Sequence, residues 1–440
     1  MHGSLPSAAP DPTPAELIAA RPFLSRSALD GLIFEGVPLA AIAAALGTPT
    51  YVYSAATIRA RYAALAGALA AAGLAAHIHY AVKANDHLAV LKLLGGLGAG
   101  ADVVSAGELA RALAAGIPAE RIVFSGVGKT AAELAAALEA GIGQINVESA
   151  EELAELSAIA TRLGRSAQVA LRVNPDIDAE THAKITTGLA QNKFGIPAAD
   201  IFPLYAEAVR LPGIAVQGLA LHIGSQVLSL APFRESFSIV AGLVRRLRAA
   251  GLPIARVDCG GGLGVPYRNE PAPTPEGLAG ALAGTFRGLD VQLLLEPGRW
   301  LVAPAGLLLA TVVRVKPGPE RPFVVLDAGM SDLIRPALYE SWHGIVPLAP
   351  NAAAPVPADI VGPICESADT FATARALPSL APGDRVAILD AGAYGRVMGS
   401  AYNARPRAAE AMVEGERWAL IRPRPPLASL WADETVPDWL

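Results

Sequence analysis

The stretch HIHYAVKAN, residues 77–85, carries its one permanent cation, Lys83, toward the end of an alternating apolar run. That pattern reads as a β-strand delivering a lysine to the rim of a sheet or barrel. Period-two geometry puts Lys83, Ala81 and His79 on one face and Val82, Tyr80 and Ile78 on the other. With the first face inward, Lys83 lies partly desolvated at a barrel mouth. There it loses its proton readily and can act as an amine nucleophile, as a Schiff-base lysine must. Taken alone, the stretch also describes a solvated lysine that ends a strand. The rest of the chain separates the two readings.

On either side of this strand, from about Thr50 to Ala303, short apolar runs alternate with alanine-rich amphipathic segments, the signature of βα units and a parallel sheet. Strands are predicted over 78–83, 101–105, 122–125, 144–147, 168–173, 219–223, 256–259 and 292–295. Three of the helices that follow open on capping-box pairs: Ser105 with Glu108, Thr130 with Glu133, and Ser149 with Glu152. Eight ordered units imply an α/β fold, a (β/α)8 TIM-type barrel over 50–303 whose site lies at the C-terminal ends of the strands. After Ala303 the texture changes to short β-type runs broken by Pro and Gly, which predicts a C-terminal β-rich domain over 304–440, joined by the segment 22–49. Residues 1–21, rich in Pro, Ala and Ser, read as a flexible tail without the order of a secretory signal.

The 440 residues are 52% hydrophobic and 17% charged, the balance of a compact soluble chain. A net charge of −5, with Lys and Arg scattered, offers no basic field for nucleic acid or an anionic membrane. The longest apolar run, 300–313, is broken by Pro304 and Gly306 and falls short of a membrane span of about 20 residues. Two cysteines, Cys259 and Cys365, make no disulfide framework, so a reducing cytoplasm is expected. No metal site is expected.

Several residues fall at predicted strand ends. Strand six runs into His222-Ile223-Gly224-Ser225, where a histidine could stack on a flat ligand beside a hydroxyl donor, although a lone His222 is more commonly structural. Strand seven runs into Asp258-Cys259-Gly260-Gly261-Gly262, whose amides could close on a phosphate without side-chain obstruction. Strand eight runs into Glu296-Pro297-Gly298-Arg299, where a carboxylate could keep a ring nitrogen protonated and an arginine could grip a carboxylate. In the second domain, Arg335 and Tyr339 lie one helical turn apart, Cys365 adjoins Glu366 in a turn, and Tyr394 stands on another. Cys365 taken alone is an ordinary buried thiol.

With these residues assembled, the chain closely resembles the diaminopimelate decarboxylases of the fold type III pyridoxal-phosphate enzymes, the Orn/Lys/Arg class-II decarboxylase group. The motifs YAVKAN at Tyr80, HIGSQ at His222, GGGLG at Gly260, EPGR at Glu296, DLIRPALY at Asp332, GPICES at Gly362 and YNARPR at Tyr402 carry it, from about Thr50 to Arg407. The resemblance implies pyridoxal 5'-phosphate as cofactor and an amino-acid substrate, meso-2,6-diaminopimelate, decarboxylated to L-lysine. It implies Lys83 as the Schiff-base lysine, His222 stacking on the pyridine ring, and Glu296 as partner of the pyridine nitrogen. Gly260, Gly261, Gly262, Ser225, the amides around Gly298 and Arg299, and Tyr394 resemble the phosphate site. Arg299, Arg335 and Tyr339 resemble the grip on the distal carboxylate, Glu366 the reader of the distal ammonium, and Cys365 the acid that returns a proton. A homodimer with shared sites is implied. Trp300 and Trp342 depart from the pattern by their bulk.

Rival readings are a decarboxylase of ornithine, arginine or carboxynorspermidine on the same fold, a racemase, a non-catalytic regulator, or a pyridoxal-phosphate carrier. Arg335 and Glu366 weigh against diamine-forming members, whose substrates have no distal carboxylate. Glu296 weighs against a racemase, because a protonated pyridine favours full delocalisation of the carbanion. Lys83, Cys365 and Glu296 together weigh against a regulator, and the large second domain against a single-barrel carrier.

Overall fold

In the computed structural model, which describes residues 11–440 apart from 180, 181, 183, 186 and 190, eight parallel strands close into a barrel. They are Ala76–Ala81, Gly100–Val103, Ile122–Phe124, Gln144–Val147, Ala167–Asn174, Ile214–Leu221, Arg256–Asp258 and Gln292–Leu295. Each pairs with the next, and the eighth returns to the first, with Leu293 opposite Ala76 and Leu295 opposite Ile78. The barrel forms a unit made of Ile58–Val265 and Pro271–Val302. The first strand ends at Ala81, earlier than expected, and a 3-10 turn over Val82–Ala84 carries Lys83. Lys83 therefore leaves the strand's two-residue alternation.

The predicted caps form with one difference. Ser105, Thr130 and Ser149 each accept the amide three residues on. Only Glu133 returns to the amide of its own capping residue, Thr130; Glu108 and Glu152 reach one residue further back, to Val104 and Glu148. Either way an orphan amide is satisfied.

The other unit comprises the described residues up to Thr57, Pro266–Glu270 and Ala303–Leu440. The strand Thr50–Ser54, expected to open the barrel region, belongs here and pairs with Gly306–Lys316 and Ala409–Glu414. The reason is visible in the alternation. Leu307 and Leu309 face one core with Val52, Ala387 and Val413, while Leu308, Ala310 and Val312 face another with Tyr51, Tyr53 and Ile388. Both faces of the sheet are buried along Leu307–Ala310, which is why that stretch reads as continuously apolar.

The N-terminal segment covers one of these faces, and this corrects the reading of 1–21 as tail over its described part. Pro14–Ala19 is a helix with a full capping box between Thr13 and Glu16, and Leu17 is buried in the sheet's core with Leu24, Leu32, Phe34 and Ile42. Arg21 closes the segment: its Nε donates to both carboxylate oxygens of Asp390 at 3.1 Å, and its Nη1 donates to the Leu17 carbonyl at 2.7 Å. The Asp390 side chain is only 4% exposed. Removing the cation strands a buried charge, so Arg21→Met should cost about 3 kcal/mol in chemical denaturation of the full chain. Arg417→Met, which breaks an exposed pair with Glu414, should leave the midpoint unchanged; equal midpoints for all three proteins would remove Arg21 from this role.

Candidate active site

The barrel's C-terminal rim gathers the residues its strands deliver. Lys83 Nζ donates to Asp102 Oδ2 at 2.7 Å. Asp102 lies on the second strand, in register with Ala81, and is fully buried; its Oδ1 has no hydrogen-bond partner among the described residues. The lysine was expected against desolvating walls. It is instead held by a buried carboxylate, with about a third of its own side chain exposed.

Beneath it lies a connected polar network. Asn146, on the fourth strand, donates through Nδ2 toward Ser125 Oγ at 3.1 Å, Asp258 Oδ2 at 3.0 Å and Glu296 Oε1 at 3.4 Å. Ser125 Oγ donates to the same Glu296 oxygen at 3.3 Å, and Gln144 Nε2 donates to Asn146 Oδ1 at 2.8 Å. All five side chains are buried. Burial, followed by the charges of Asp102 and Asp258, pushes the Glu296 carboxyl well above the usual carboxylate range. Burial raises Asp258 as well. Like charges this close in a low-dielectric interior favour keeping one proton between them.

His222 Nδ1 accepts the Gly261 amide at 3.2 Å, which fixes the neutral ring with its proton on Nε2. Burial, then the charges of Lys83 and Arg172, holds its pKa well below the ordinary histidine value. The Gly260 amide donates to Asp258 Oδ1 at 3.0 Å. Two of the three glycine amides expected to face a phosphate are thus engaged within the protein. What the glycines supply is close approach: a Cβ at Gly260 would meet the Leu221 carbonyl oxygen at 2.2 Å, one at Gly261 the Glu296 carbonyl oxygen at 2.1 Å, and one at Gly262 the Gly224 carbonyl oxygen at 2.5 Å. Gly298 is similarly tight against Ala81 and Ala84. Arg299 is buried and donates through Nη2 to Ser225 Oγ at 2.9 Å. Arg172 pairs with Glu148, whose carboxylate also accepts the amides of Gly126 and Gly195. Trp300 does not line the cavity; the Arg61 guanidinium stacks on it at 3.7 Å and donates to its carbonyl at 2.7 Å.

The β-rich unit carries the remaining predicted residues. Arg335 is buried, with Nη1 2.8 Å from His343 Nε2 and Nη2 donating to Ser341 Oγ at 3.2 Å. Tyr339, at the end of the same short helix, is half-buried. Cys365 is exposed and reduced, while Cys259 is buried with its thiol pushed up by desolvation. Of the two, Cys365 is the accessible thiol, against the buried reading it has when taken alone. Its amide donates to Asn403 Oδ1 at 3.2 Å, and Tyr402 Oη donates to Glu366 Oε1. Buried Asp369 ties the turn by accepting the amides of Ile364 and Met330, both at 2.6 Å. Tyr394 is half-buried with φ of 55°. Trp342 lies under the Arg375 guanidinium at 4.3 Å and packs on the core that holds Leu17.

Residues 55–303 match the model of the pyridoxal-dependent decarboxylase pyridoxal-binding domain. Over 412 residues the chain is 47% identical to the diaminopimelate decarboxylase of Zymomonas mobilis, covering 93% of this chain and 98% of the relative. The chain belongs to the pyridoxal-dependent decarboxylases, in the diaminopimelate decarboxylase family. The Pseudomonas aeruginosa diaminopimelate decarboxylase is 49% identical over 405 residues, 92% of this chain and 97% of that one. A diaminopimelate decarboxylase from M. jannaschii solved with L-lysine superposes with a TM-score of 0.91 at 38% identity, covering 96% and 99% of the two chains.

The barrel residues fit the family's pyridoxal phosphate. A cavity of about 270 Å³ is lined by Lys83, Ser125, Asn146, Arg172, His222 and Glu296 among others, which puts an amine, an imidazole face and a buried acid around one space. The unpartnered Asp102 Oδ1 beside the amine supplies an acceptor for a protonated group there. Sequence reading missed Asp102, Ser125, Asn146 and Asp258. The signal was available for Asp102, the one polar residue of its strand, whereas Asn146 and Asp258 share short strands with Gln144 and Arg256.

A raised Glu296 fixes a sign. Above about pH 4.5 the unfolded chain releases this proton while the folded, cofactor-free protein keeps it, so the stabilisation is complete at low pH and is lost as pH rises through the folded value. Glu296→Gln keeps the neutral hydrogen-bonding shape without titrating. The cofactor-free variant should therefore melt above its parent at pH 8 and level with it at pH 4, and a lower melting point at pH 8 would show that Glu296 is ionised in the fold.

Proposed function

We propose that this chain decarboxylates meso-2,6-diaminopimelate to L-lysine and carbon dioxide as a cytoplasmic homodimer. The observation that carries the reading is the Lys83–Asp102 pair beside a cavity walled by buried Glu296, in a chain 47% identical over nearly its whole length to a diaminopimelate decarboxylase. Pyridoxal phosphate, when bound, supplies the electron sink that accepts the charge left by the departing carboxylate. Lys83 would hold it through its amine, with Asp102 keeping that amine on the rim. Glu296, fixed by Ser125 and Asn146, would stand at the ring nitrogen and hold a proton there. His222, kept neutral and oriented by Gly261, would lie against the ring. Ser225, Tyr394, the glycines Gly260 to Gly262 and the Gly298–Arg299 segment would surround the phosphate.

Arg299, Arg335 and Tyr339 would fix the distal carboxylate, and Glu366 the distal ammonium. Cys365 Sγ would give its proton to the carbon that lost carbon dioxide. The exposure of Cys365 and Glu366 in the single chain supports their use by a second copy, which makes each site a joint product of the dimer.

Purified protein should be yellow, and Lys83→Ala should lose the absorbance of a lysine-bound cofactor; retained absorbance would move the linkage to another lysine. Diaminopimelate should be turned over far faster than lysine or ornithine, because charged groups left unmatched in a closed site cost on the order of several kcal/mol. Comparable efficiency on either would sink the substrate assignment. Lys83→Ala and Cys365→Ala should each be nearly inactive. Unfolded together and refolded in equal amounts, they should recover roughly one quarter of wild-type activity if a two-fold dimer shares its sites. No recovery, with mixed dimers verified, would return both residues to one subunit.

A further inference from the structure

His343 lies in none of the motifs that identify the family, yet it is only 1% exposed and sits against the arginine proposed above to read the substrate. Its ring is fixed from both sides. Nδ1 lies 2.8 Å from the Leu389 carbonyl oxygen, and Nε2 lies 2.8 Å from Arg335 Nη1. A carbonyl oxygen can only accept, so Nδ1 carries the proton; a guanidinium can only donate, so Nε2 turns its lone pair toward Arg335. One tautomer of the neutral ring satisfies both contacts. The backbone of His343 is held as well, since Arg375 Nη1 donates to its carbonyl at 2.8 Å.

The same ring helps to build a cradle for the guanidinium. Tyr267 lies under Arg335 with the guanidinium carbon 4.7 Å from its centroid, and Tyr267 meets His343 edge-on at 5.2 Å. Ser341 Oγ accepts from Nη2. His343, Ser341 and the Tyr267 face together fix the plane of the fork. A fixed plane is what a carboxylate-reading arginine needs, because its parallel N–H donors must match the two carboxylate oxygens.

We propose that His343 is a positioning residue that sets Arg335 for the substrate's distal carboxylate, an inference that rests on the diaminopimelate reading above. It acts by accepting one guanidinium N–H in a fixed direction.

The test uses two amides that split the histidine's contacts. His343→Gln can place an amide oxygen near the position of Nε2 and so keep an acceptor for Arg335. His343→Asn reaches only the position of Nδ1, keeping the Leu389 contact and losing Arg335. Calorimetric titration of each holoenzyme with L-lysine, which carries the carboxylate, and with cadaverine, which lacks it, separates reading from packing. Losing one hydrogen bond to a charged group weakens binding about tenfold. His343→Asn should thus bind L-lysine about tenfold more weakly and cadaverine less than about twofold more weakly, and should raise KM for diaminopimelate more than it lowers kcat. His343→Gln should stay within about threefold of the parent on L-lysine. Equal weakening of both ligands, or equal behaviour of the two variants, would leave His343 as packing and overturn the proposal. Failure of the diaminopimelate reading is seen separately, as an unmutated protein that does not turn over diaminopimelate.

Discussion

Pairing of the eighth barrel strand with the first is the constraint on which the site depends. Leu293–Leu295 lie in register with residues 76–78, so the loop that begins at Glu296 must emerge beside the strand that leads to Lys83. A closed parallel sheet has no edge to absorb a slip, and a shift of one residue would turn Glu296 away from the interior. The tight backbone passage at Gly260, Gly261 and Gly298 follows from the same closure. A Cβ at any of them would strike a neighbouring strand end.

Closure also concentrates acids. Asp102, Asp258 and Glu296 come from three strands into one buried region, where each desolvated charge raises the cost of the next. The protein offsets that cost with neutral donors, Asn146, Ser125 and the Gly260 amide, and with one cation, Lys83. A half-satisfied network of this kind is unfavourable for folding alone, and Asp102 Oδ1, without a hydrogen-bond partner among the described residues, lies beside the Lys83 amine.

The β-rich unit handles polarity differently. Its sheet packs an apolar core on each face, its buried strand acid Glu410 meets Arg422 and the Tyr53 hydroxyl, and Asp369 fastens the loop that carries Cys365 and Glu366. Arg335, also buried, meets the His343 ring and the Ser341 hydroxyl.

The sequence by itself determined the class of the fold, because apolar runs alternating with helical segments make a parallel sheet, and eight such units are the number a closed barrel takes. It also marked Lys83, His222 and Glu296, which the structure places just past the ends of three strands and around one cavity. Strand limits were legible to within a few residues, and the misses have causes. Lys83 left its strand because a 3-10 turn ends the pairing at Ala81. Pro14–Ala19 looked like a tail because its composition conceals one buried leucine whose partners are distant in the chain. Thr50–Ser54 looked like part of the barrel region because local pattern cannot say which sheet a strand will join. Only the tertiary structure decided that the lysine would be met by Asp102, that Asn146 would join two acids, and that His343 would face Arg335. Those contacts depend on distance in space between residues of unrelated sequence position, and hydrophobic periodicity carries no information about which polar groups will meet once the strands have closed.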